Sequence, residues 1–148
     1  MINIIVGKKG SGKTKKLIEI ANKVTNETDG AVLCVEKQKI STFRVPHKAR
    51  LIDVDDFFID SFDKLYGLIS GSIASNYDIK DVFIDSTFRI GGRKPVETYD
   101  FINKLRILGE KYGVNFYITL SCDYKEVILD TWRIANEIKA WFLTFLIR

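Results

Sequence analysis

Histidine is almost missing: His47 is the only one in the 148-residue chain. A metal centre built on histidine pairs is thereby excluded. His47 lies beside Pro46 in a polar connection and reads as a surface loop residue. Cysteine is nearly as scarce. Cys34 and Cys122 each fall inside an apolar run, at a spacing that matches neither a metal-ligand pattern nor a redox CxxC pair, so both read as buried reduced thiols. No apolar run reaches the ~20 residues a membrane helix needs. The first residues run into a glycine-rich segment too soon for a signal peptide's apolar region and cleavage site, which makes the cytoplasm the expected location. Internal repeats and low-complexity tracts are absent. The net charge of +4 is mild and dispersed, allowing an anionic partner such as nucleic acid without requiring one.

What is present fits one globular domain over residues 1–148, since 46% of the residues are hydrophobic and 28% charged. Five short apolar runs recur, at 2–6, 31–35, 50–54, 81–84 and 115–120, mostly separated by segments of helical period. That alternation predicts an α/β fold with a mainly parallel five-stranded sheet. The runs are nearly continuous in β-branched and aromatic residues, as suits strands covered by helices on both faces.

Four helices are expected. The first opens at Gly12 and carries Leu17, Ile18, Ala21 and Val24 on one face. The second follows Asp60 or Ser61, with a stripe of Phe62, Leu65, Tyr66, Ile69 and Ile73; close packing would account for its two glycines, Gly67 and Gly71. In the third, Pro95 suits the first turn, Ile102, Leu105, Leu108 and Tyr112 give the stripe, and Gly113 suits the left-handed position after the end. The fourth starts at Asp123 and Glu126, at capping-box spacing, and runs through Ile128, Trp132, Ala135, Ile138, Phe142 and Phe145. Its last run, 140–147, is apolar except for Thr144, so an added strand is the alternative. Trp132, Trp141, Phe142 and Phe145 read as core, with a homo-oligomer contact as the other use of such a surface. Residues 36–48 read as a polar, basic surface excursion.

The chemistry is concentrated in Gly7, Lys8, Lys9, Gly10, Ser11, Gly12, Lys13 and Thr14, which satisfy GxxxxGK[ST], the Walker A pattern, in full. Glycines let the backbone curl so that successive N–H groups point at phosphate oxygens, and the helix that follows adds its positive end. Lys13 is expected to reach the β- and γ-phosphates, and the Thr14 hydroxyl to coordinate Mg²⁺. Lys8 and Lys9 would add phosphate contacts or stay solvated. Such a site needs an acidic residue at a neighbouring strand's tip, and Val82, Phe83 and Ile84 lead into Asp85, the Walker B choice.

On GKKGSGKT and VFIDS the chain resembles the P-loop NTPase superfamily, which implies a three-layer fold, ATP and Mg²⁺ as ligands, and a core from the first strand to the last. The layout looks like the ATPase branch in which a further strand, ending in a polar residue, lies between the two motifs. That resemblance implies a polar sensor at Thr119 or Ser121, in ITLSCD. It extends to the nucleotide core of pilus-retraction ATPases, without their additional domains. Many members carry a glutamate directly after the Walker B aspartate, where this chain has Ser86. Glu36, after the second strand, is the first replacement, since recombinase-like members place a catalytic glutamate there; Asp123 is the second.

Arg89 and Arg93, in FRIGGRK on an expected flexible loop, are candidates for an arginine finger acting across subunits, or for contact with an acidic partner. Asp53, Asp55 and Asp56 read as turn and capping residues. The leading expectation is a small Mg²⁺-dependent ATPase that couples nucleotide state to a conformational or assembly change. A small-molecule kinase and a non-catalytic nucleotide sensor are the alternatives. GTP is disfavoured, since no NKxD-type motif is present.

Overall fold

Strands that are apolar on both sides must be covered on both sides, and this chain supplies the helices in the order that does so. The computed structural model describes residues 1–38 and 46–123, together with the backbone of 142–146. In chain order the elements are β1 (Ile2–Gly7), α1 (Lys13–Glu27), β2 (Ala31–Glu36) and β3 (Ala49–Asp53), then a 3₁₀ turn (Val54–Phe57) and α2 (Phe62–Ser75). After these come β4 (Ile79–Ile84), α3 (Thr87–Gly91), α4 (Pro95–Tyr112), β5 (Asn115–Ser121) and β6 (Phe142–Leu146). The strands lie in the order β3-β2-β4-β5-β1-β6, and every neighbouring pair is parallel.

All five expected strands form, and β6 adds an edge beside β1. Strand therefore replaces the preferred helix over the part of 140–147 that is described. A run apolar on every side has no period to distinguish the two states, and the open edge of β1 decides it by accepting the ladder. The rest of the expected C-terminal helix, with Trp132 and Trp141, lies outside the described residues, as does most of the 36–48 excursion. Among the described residues, no helix is long and apolar enough to cross a membrane.

Side-chain alternation along each strand divides the core in two. Ile5, Val32, Cys34 and Phe83 face α1 and pack on Leu17 and Ala21. Burial pushes the Cys34 thiol up to about 12, so it stays protonated and unreactive. The opposite face, with Val6, Leu33, Val82 and Ile118, packs on α2 and α4 through Leu65, Ile69, Phe101 and Leu105. Phe62 and Phe101 stack at 4.8 Å between those two helices.

The capping signals act as the sequence suggests. Ser61 Oγ accepts from Lys64 N at 3.2 Å to start α2, Pro95 occupies the first turn of α4, and Gly113 follows it with φ 68°. Three expectations need correction. Gly67 and Gly71 are not packed closely: a Cβ on either would meet nothing within 4 Å. The close approach is at Gly91, where a Cβ would run into the Phe62 ring. Tyr112 is not part of the α4 stripe but 45% exposed; Phe101 carries that packing instead. The segment after Asp85 is not simply a loop, since α3 forms within it, too short to show a period in sequence.

Candidate functional site

The parallel strands end together, and the candidate residues lie along that edge. Val35 pairs with Ile84, Ile84 with Ile118, and Gly7 with Ser121. One residue further on, Glu36, Asp85 and Thr119 are therefore level, and the Gly7–Thr14 loop leaves β1 beside them.

The loop is held by its own backbone. Gly10 and Gly12 have φ of 80° and 89°, a region that L side chains rarely adopt. Ser11 N donates to Lys8 O at 3.1 Å, closing the turn. Gly7 is buried at the end of β1, and the Ser11 side chain fills the space its Cβ would take. The Ser11 hydroxyl is itself buried with no hydrogen-bond partner. Gly12 caps α1 without a side-chain hydrogen bond, and no acidic residue sits in the first turn. The amides and positive end of α1 are thus open to an anion.

Lys13 is only 7% exposed, and its Nζ donates to Lys8 O at 2.8 Å. Burial lowers its pKa, opposed by the attraction of Asp85. A buried ammonium folded back on a carbonyl is short of negative charge. Lys8 pairs with Asp123 at 3.3 Å, on the surface, and Lys9 is exposed.

Asp85 connects the loop to the sheet. Its Oδ2 accepts from Thr14 Oγ1 at 2.8 Å and its Oδ1 from Thr119 Oγ1 at 2.6 Å. Thr119 also accepts from Ser86 N at 3.1 Å, so one hydroxyl fixes both residues after β4. Glu36 is 4% exposed. It lines one cleft with Thr14 and Asp85, walled by Leu17, Cys34 and Phe83.

Other candidates are elsewhere engaged. Asp53 Oδ1 accepts from Asp55 N at 3.0 Å and from Gln38 N at 3.3 Å, while Asp55 pairs with Lys37 at 2.6 Å, the turn and capping role expected of this group. Arg89 is exposed on α3. Arg93 Nη2 donates to the Ser121 carbonyl at 2.8 Å, an encounter between residues 28 apart that no local pattern announces. Ser11's unpartnered hydroxyl is likewise invisible until the loop is closed.

The assembled groups can hold an oxyanion between amides and a buried amine, with two oxygen donors for a hard cation beside it and a carboxylate across the cleft. No family model matches this chain and no curated protein matches it, so its chemistry is read from this geometry.

Proposed function

We propose that the chain is a Mg²⁺-dependent ATP-binding protein of the P-loop class that hydrolyses its nucleotide. The observation that carries this reading is the 2.8 Å hydrogen bond from Thr14 to Asp85, which joins the end of the GKKGSGKT loop to an acidic strand tip 71 residues away. A P-loop protein uses these two groups on its Mg²⁺ shell, and both offer the hard oxygen that Mg²⁺ prefers. The unpartnered Ser11 hydroxyl and the uncapped start of α1 suit phosphate oxygens as acceptors.

Thr14 and Asp85 would hold a Mg²⁺ ion, which would supply positive charge against the developing negative charge of the phosphates. Lys13 exchanges the Lys8 carbonyl for a phosphate oxygen. Thr119 keeps Asp85 in one orientation by donating to it. Ser86 provides no carboxylate, and Glu36, buried level with Asp85, takes that part. Glu36 orients a water and accepts its proton as the new oxygen–phosphorus bond forms and the bond to the leaving diphosphate breaks. We assign this activity to the cytoplasm, in a chain whose nucleotide state alters a loop or an assembly.

A second reading is transfer of the γ-phosphate to a small acceptor in place of water. Product analysis with Mg²⁺ATP separates the two. Wild type is expected to release free phosphate, Lys13→Ala to release none, and Glu36→Gln to retain ATP binding while losing about 100-fold or more in rate. Phosphate appearing only on an added acceptor would promote the kinase. Binding without turnover of any kind would remove hydrolysis and leave a nucleotide sensor.

A further inference from the structure

Cations crowd the start of this loop, and they are not neutralised alike. Lys8 faces the Asp123 carboxylate. Arg93 rests on uncharged partners, the Ser121 carbonyl at 2.8 Å and the Phe88 ring, whose centre is 5.3 Å from its guanidinium carbon. Gly92, with φ 92°, turns the chain between α3 and α4 and brings Arg93 back over the sheet's edge. Because Ser121 pairs in register with Gly7, the guanidinium is docked beside the first residue of the loop.

We propose that Arg93 binds the terminal phosphate of the nucleotide held by its own chain, leaving the Ser121 carbonyl to do so. This rests on the nucleotide reading above and replaces a finger reaching across subunits with one acting in cis. A finger that serves a neighbour projects away from its own chain, whereas Arg93 is folded back onto the end of β5, beside β1. The exchange is favourable on both sides. A guanidinium gives up a neutral carbonyl for phosphate oxygens, to which charge-assisted hydrogen bonds are roughly twice as strong. The Ser121 carbonyl is at the surface, so water replaces the donor it loses. Since the terminal phosphate is the group engaged, the contact discriminates triphosphate from diphosphate.

The test is calorimetric titration of the full chain with Mg²⁺ATP and Mg²⁺ADP, for wild type, Arg93→Ala and Arg93→Lys, with hydrolysis measured in mixtures of Arg93→Ala and Lys13→Ala. Arg93→Ala is expected to weaken ATP about tenfold or more and ADP less than about twofold. The mixture should hydrolyse no faster than the sum of its parts. Hydrolysis restored by mixing would put Arg93 in trans and overturn the proposal, as would equal effects on ATP and ADP. If Arg93→Ala proves misfolded by thermal unfolding, Arg93→Lys decides: it keeps the charge but loses the planar fork, and must show a loss confined to ATP. Wild type that binds neither nucleotide would remove the nucleotide reading itself, and this inference with it.

Discussion

At the scale of single residues, Lys13 carries an electrostatic cost of burial. Its pKa is lowered by burial, so between that lowered value and the ordinary 10.5 the unfolded chain binds a proton that the native chain does not. Stability of the ligand-free protein therefore rises with pH through that window, and the cost is fully present below it. A bound anion favours the protonated amine, so phosphate affinity runs the other way and falls as pH climbs through the same window. Lys13→Met removes the buried charge and the anion's partner together. Its thermal midpoint is expected to equal or exceed that of wild type while Mg²⁺ATP binding is lost; a midpoint lower by more than about 3 °C, roughly 1 kcal/mol in a domain of this size, would contradict this. As candidates, Lys13, Thr14 and Asp85 are legible in sequence because the loop's spacing and a single strand end are local patterns. Glu36 is a less direct candidate, since its place level with Asp85 depends on β2 lying next to β4.

At the scale of elements, the signals that act over one turn could be read directly. Ser61, Pro95 and Gly113 each satisfy or excuse a backbone group at a helix end, and the helices start and stop there. The glycines could not be read this way, because a glycine looks the same in sequence whether it admits a neighbour or merely lacks a side chain. The structure separates the two cases, and substitution distinguishes them. Gly67→Ala and Gly71→Ala place a methyl in open space on α2, without a positive φ, and should each stabilise by about 0.5–1 kcal/mol. Gly91→Ala drives a methyl into the Phe62 ring and should destabilise by about 1–3 kcal/mol. Urea denaturation of the three variants checks the sign of each. The run 140–147 failed at this scale for a related reason: its apolar residues fit helix or strand equally, and only the free edge of β1 selects β6.

For the whole molecule, the strand order explains why one edge gathers the chemistry. Parallel strands all end at the same side, and ligands of open α/β sheets bind beyond those ends. Placing β5 between β1 and β4 brings Thr119 against Asp85, and placing β2 beyond β4 puts Glu36 on the far side of the same carboxylate. The α/β alternation was legible in sequence, but the order was not, because pairing between distant strands leaves no local trace. The central claim is that the Gly7–Thr14 loop and Asp85 form one Mg²⁺–phosphate site. Calorimetric titration of ATP with and without Mg²⁺, into wild type and Asp85→Asn, tests it most directly. Wild type is predicted to bind ATP at least about tenfold more tightly with Mg²⁺, a gain of about 1.4 kcal/mol, and Asp85→Asn to lose most of that gain. The same Mg²⁺ dependence in both proteins would contradict the account.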